Sequence, residues 1–323
     1  MEFFSRKKEP THNVDGSAGG QISVEALEAY KNARNFIKEK DYNNAIKEYN
    51  KAIKLNKNYV EAFIALGELY YHQKDYKKAI EQYKKAIKTS PKFIKGYLDM
   101  AIAYKQLNDT KNAESVYSKA LEIEPDNVSI MGNLGLMYIA NLDYDKAEKL
   151  FIKVTQSLPD NSTANYNLGL TYYKKKRYDS AIAYLQKAIE IKPDYIQAYK
   201  DLGNIQFARG LFKEAISYYA KAVEIDPGYA DGFNNMGNAY NNLEKFAQAE
   251  KFFSIAIKLN PEIPEPHYGL ATVLETNEEF SIAIDEYKLF LKYTKDPASK
   301  KEAQERIKKL KPLAEYKGEK QND

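Results

Sequence analysis

Residues 60–93 read VEAFIALGELYYHQKDYKKAIEQYKKAIKTSPKF, and this stretch decides the fold. Its landmarks are the small residue Gly67, then Ala79, the large Tyr83, Ala86 and a closing Pro91. Outward from it, every landmark recurs at a step of 34 residues. Alanine returns at Ala45, Ala79, Ala113, Ala147, Ala181, Ala215, Ala249 and Ala283. Seven residues behind runs Ala52, Ala86, Ala120, Val154, Ala188, Ala222, Ala256 and Phe290. The small series is Ala33, Gly67, Ala101, Gly135, Gly169, Gly203, Gly237 and Ala271. The large series is Tyr49, Tyr83, Tyr117, Phe151, Leu185, Tyr219, Phe253 and Tyr287. Prolines mark the same step from Pro91 to Pro261. Chance does not align five series over eight periods.

The residue types give the period its physical meaning. Small side chains let two helix backbones approach, and large ones fill the space between neighbours. Proline stops one helix and suits the link before the next. Each period therefore predicts a helical hairpin, which cannot bury its apolar face alone and must stack on the next.

The pattern Phe63, Leu66-Gly67, Tyr70, Ala79, Tyr83, Ala86, Pro91 closely resembles the tetratricopeptide repeat family. It returns in Phe233, Met236-Gly237, Tyr240, Ala249, Phe253, Ala256, Pro261. The resemblance implies an all-α fold, a right-handed α-solenoid of about eight hairpins with a C-terminal capping helix. The boundaries expected are a disordered tail over 1–22, a solenoid over 23–297, a capping helix over 298–311 and a disordered tail over 312–323. The eight units fall at 26–59, 60–93, 94–127, 128–161, 162–195, 196–229, 230–263 and 264–297. Asp296-Pro297 reads as an N-cap and first helical residue. Ala303, Ile307 and Leu310 then form an apolar stripe, and Pro312 is expected to end that helix.

Composition excludes much chemistry. The chain has 323 residues, 49 Lys+Arg against 45 Asp+Glu, and no cysteine. Disulfides, thiolate zinc sites, cysteine nucleophiles and cysteine-linked lipids are thereby ruled out. A net charge of +4, with lysines and carboxylates interleaved, does not point to nucleic acid. Three histidines (His12, His72, His267) stand too far apart for a histidine-rich metal site, so neither metal nor cofactor is expected. Gly16-Ser-Ala-Gly-Gly lacks the Lys-Ser/Thr of a phosphate-binding loop and reads as a linker. No apolar run suits a membrane span or a secretory signal, so a cytoplasmic location without membrane insertion is expected. Only 26 residues follow position 297, which leaves no room there for a catalytic domain. A non-enzymatic protein is the expectation.

In such an array the first helix of each unit lines the concave face. Two residues before the small series stand Asp99, Asn133, Asn167, Asp201 and Asn235. The family resemblance implies that asparagines here clamp the backbone of an extended peptide, since one amide both donates and accepts. The same residues also fit a merely solvated face. Next to them come Leu136, Leu170, Asn204 and Asn238, and one turn on Tyr173 and Phe207. These predict a groove that is apolar centrally and amide-rich near unit seven. They could equally be packed between adjacent first helices. Lys200, Asn204 and Asn235 match the start of the family's dicarboxylate clamp, which then fails at Glu265 and Gly269. The function expected is a scaffold or adaptor binding a protein or peptide partner. The alternatives are a co-chaperone holding an acidic chaperone tail through that partial clamp, and a structural self-assembler; oligomeric state is left open.

Overall fold

The computed structural model describes residues 22–320, so the expected N-terminal tail lies, but for Ile22, outside the described residues. Within them are seventeen α-helices and no strand. The contacts divide the chain into two compact units, residues 1–157 and 158–323.

The first unit holds α1 (Val24–Lys38), α2 (Tyr42–Leu55), α3 (Val60–His72), α4 (Tyr76–Thr89), α5 (Ile94–Gln106), α6 (Thr110–Ile123), α7 (Val128–Ala140) and α8 (Tyr144–Ser157). The second holds α9 (Ser162–Lys174), α10 (Tyr178–Ile191), α11 (Ile196–Ala208), α12 (Phe212–Ile225), α13 (Ala230–Asn242), α14 (Phe246–Leu259), α15 (Pro264–Thr276), α16 (Phe280–Tyr293) and α17 (Pro297–Lys320). In each unit a helix packs on its hairpin partner and then on the next hairpin. This is the all-α helical-repeat class that the sequence predicts.

The periodic residues form the packing. A Cβ on Gly67 would stand 2.5 Å from the Tyr83 ring, and one on Gly203 would stand 2.4 Å from Tyr219. Small and large series thus meet face to face inside each hairpin. The alanine series from Ala45 to Ala283 is completely buried, as are Phe151, Leu185 and Phe253 of the large series.

One turn geometry serves every hairpin. Lys74 adopts φ 63°, its N–H donates to Tyr71 O, and the Asp75 N–H donates to Tyr70 O. That is a Schellman closure, which satisfies the last carbonyls of the first helix. It repeats at Lys40, Asn108, Leu142, Lys176, Gly210, Glu244 and Glu278. The residue after it starts the second helix: Asp41, Asp75, Asp109 and Asp143 each accept a backbone N–H there.

At the C-terminus, Ser299 N–H donates to Asp296, and Ala303 and Leu310 are buried against the last hairpin. Pro312 does not end α17, contrary to the expected stop and tail from 312; the helix runs on to Lys320. A proline removes one N–H and displaces the carbonyl four residues back. Here that carbonyl belongs to Lys308, and both residues are exposed, so the lost hydrogen bond leaves no buried polar group.

Candidate interaction face of the first helices

First helices touch across the second helix between them: α3 meets α5, α9 meets α11, and α13 meets α15. Three rows of side chains run across this face in each unit, and their fates differ.

The innermost row is largely consumed by the chain itself. Asp99, Asn167 and Asp201 are only 8%, 4% and 3% exposed, whereas Asn133 and Asn235 are half-buried. In the first unit, Lys95 bridges Asp99 at 3.0 Å and Glu68 on the preceding first helix. Burial acts against the Lys95 ammonium, but Asp99 and Glu68 outweigh it and raise its pKa. In the second unit, the Tyr166 hydroxyl donates to Asp201 at 3.0 Å, and Lys200 Nζ lies 3.5 Å from the same carboxylate. Burial pushes the Asp201 carboxyl above its ordinary range, with Lys200 and Tyr166 opposing. The predicted ladder is thus not a uniform set of open rungs. Asn133 and Asn235 retain accessible surface, and Asp99, Asn167 and Asp201 are buried.

The second and third rows remain partly open. Leu136, Leu170, Asn204 and Asn238 are half-buried, as are Tyr173 and Phe207. Leu170 and Tyr173 pack against the core formed by Leu185, Leu202 and Ile205. Phe207 meets Phe212 edge-on at 5.2 Å. Burial, followed by the charge of Asp201, raises the Tyr173 phenol's pKa. Asn204 accepts the Tyr219 hydroxyl at 2.9 Å.

That last bond bears on the partial clamp. Lys200 is engaged with Asp201 and Asn204 with Tyr219, while Glu265 is exposed and Gly269 is buried against Phe253. A clamp needs donors converging on one carboxylate; the Lys200 ammonium already faces Asp201, whereas the Asn204 bond uses only its amide oxygen and leaves its N–H donors.

Sequence reasoning overlooked the residues that consume the ladder. Lys95 precedes Asp99 by one helical turn, and Tyr166 sits on the neighbouring first helix, 35 residues from Asp201. The signal was present one register from the ladder, where Tyr166, Lys200, Asn234 and Tyr268 recur. His267 is likewise engaged within the chain. It is 2% exposed, with Nδ1 2.6 Å from Glu286 and Nε2 2.9 Å from Pro261 O. Among the described residues no group of His, Asp and Glu side chains is arranged to hold a metal, and no helix is long and apolar enough to cross a membrane.

Periodic hairpins with closely packed interiors and a partly open first-helix face define a helical-repeat protein of the interaction-scaffold class. Family models described as tetratricopeptide repeat match residues 94–127, 126–194, 160–227 and 230–263, and one described as TPR repeat matches 34–74 and 67–108. The chain belongs to the tetratricopeptide repeat family. No curated protein matches its sequence. Among solved structures, yeast Tom70 is 19% identical with a TM-score of 0.58, over 94% of this chain and 66% of that one. The pilF protein of Pseudomonas aeruginosa is 19% identical with a TM-score of 0.55, over 68% and 97% of the two chains. YrrB, described as a TPR protein with an unusual peptide-binding site, is 28% identical with a TM-score of 0.47, over 57% and 95%. The likeness to Tom70 and pilF shows the fold alone.

Proposed function

We propose that this chain is a non-enzymatic interaction scaffold that takes an extended peptide segment along the first helices of each unit. The observation that carries the reading is the division of labour on that face. Its inner acids are neutralised within the chain, while a half-buried mixture of aliphatic, aromatic and amide side chains stays accessible. Apolar side chains supply affinity, and free amides pair with the backbone of an extended segment whatever its sequence. An extended ligand loses conformational freedom on binding, so a peptide alone should bind with roughly micromolar affinity.

A random peptide library displayed on phage tests this. Selection on the wild-type chain should yield binders that are lost by a variant combining Asn133→Ala, Leu136→Asp, Phe207→Asp and Asn235→Ala. Thermal melting and circular dichroism verify that this variant folds. Binders retained by the variant would move the binding site off this face, and an empty selection would remove the peptide reading.

A further inference from the structure

The third repeat, residues 94–127, holds two side-chain hydrogen-bond donors without a partner among the described residues. Tyr117 is completely buried, and its hydroxyl has no partner. The same position in two other repeats shows what is missing. Tyr219 donates to Asn204 at 2.9 Å, and Tyr287 donates to Glu275 at 2.9 Å. Counted along the repeat, the residue equivalent to Asn204 is Ile102 and the one equivalent to Glu275 is Lys105. Both acceptor positions are therefore filled by groups that cannot accept.

Lys105 is the second donor. It lies in the last turn of α5, half-buried, at the repeat position that holds Tyr71 on α3 and Ile139 on α7. Among the described residues its ammonium has neither an ion pair nor a hydrogen bond, and burial alone lowers its pKa, with no carboxylate near enough to restore it. The neighbouring cation differs: Lys95 is spent on Glu68 and Asp99. A part-dehydrated ammonium without a counter-ion is a cost to the folded chain that an incoming anion would remove.

We infer that Lys105 receives a carboxylate of the peptide bound on the first-helix face of the first unit. The inference rests on the peptide reading above and gives that peptide a chemical requirement. A single ammonium with Ile102 one turn before it on α5, at the repeat position filled by Tyr71 on α3 and Ile139 on α7, suits one carboxylate beside apolar residues. An aspartate, a glutamate and a free C-terminus all supply it. This anchor is separate from the partial clamp: it lies on a different repeat, six residues beyond Asp99, and uses a lysine that the chain has not paired.

The phage selection decides it. Peptides selected by the wild-type chain should share an acidic residue or a free C-terminus at a fixed place beside apolar residues. Synthetic versions with that acid changed to its amide, or with the C-terminus amidated, separate the two sources of carboxylate. By calorimetry, removing the carboxylate should weaken binding to wild type about ten-fold, the worth of one charge-assisted hydrogen bond. The same change should make no difference to Lys105→Met. Lys119→Met, at an exposed position on α6, should behave as wild type. Acid-free binders, or a Lys105→Met chain that still distinguishes acid from amide, would overturn the inference and leave the peptide reading standing. An empty selection would overturn both.

Discussion

Leu142 holds a φ of 63° with its side chain 71% exposed, so it bears the strain of the left-handed turn without burying anything. Gly210 makes the same turn at φ 76° with nothing near its Cα to resist or require a side chain. For a branched residue that conformation costs about 1 kcal/mol or more. Leu142→Gly should therefore stabilise the first unit by about 1 kcal/mol, and Gly210→Leu should destabilise the second by a similar amount. Denaturant midpoints should move in opposite directions at unchanged slope. His267 makes a different residue-scale prediction. Burial disfavours its charged form, but the Glu286 hydrogen bond, the Pro261 carbonyl and the Glu286 charge prevail and raise its pKa above 6.5. Both ring nitrogens face acceptors, so the native state favours the imidazolium. The resulting stability is fully present below pH 6.5 and is lost as pH rises through the higher native pKa. Thermal melting of the second unit should thus fall across that window. Tyr97 and Asn165 donate to Pro91 and Pro159 from the equivalent position. His267→Tyr should keep such a tether and flatten the pH response near neutrality; an equally steep response in that variant would assign the effect elsewhere.

Helix starts separate the two units more sharply than helix cores do. In the first unit every second helix begins at an aspartate that accepts a backbone N–H. In the second unit the same position holds Arg177, Leu211, Lys245 and Glu279, with no side-chain cap. Leu211→Asp should add the missing cap and stabilise α12 by about 1 kcal/mol, read as a higher midpoint of unfolding. Helix cores respond to volume instead. Ala181 and Ala215 are completely buried, so replacing either with leucine should overpack a helix contact and cost roughly 1–3 kcal/mol. These elements were legible in the sequence because steric fit repeats: a small residue facing a large one leaves the same mark in every period. The candidate site was less legible. Whether Asn133 or Asp201 is open depends on what the preceding first helix presents, and Tyr166 closes Asp201 from 35 residues away. The helix beyond Pro312 escaped for another reason, since the exposure of the Lys308 carbonyl is a property of the docked helix and not of the proline.

In a unit whose helices pack mainly on helices one or two places away along the chain, a defect at one end spreads by weakening the next contact rather than collapsing a shared core. The C-terminal helix tests this within the second unit. Leu310 is 2% exposed and joins Ala303 in the cluster that contains Leu274, Tyr287 and Phe290. Arg306 adds a bond to Glu275 at 3.1 Å, and the Tyr268 hydroxyl reaches Glu302 at 2.6 Å. These polar contacts are partly exposed and position the helix more than they hold it. Leu310→Ala truncates the largest buried side chain of α17 and should cost about 2–5 kcal/mol, with Arg306→Ala costing much less. Hydrogen exchange should show the largest loss of protection in α16 and α17, less in α13 to α15, and little in α9 to α12. Equal loss throughout the unit would mean that it unfolds as one cooperative block, and nearest-neighbour stacking would then not describe its stability.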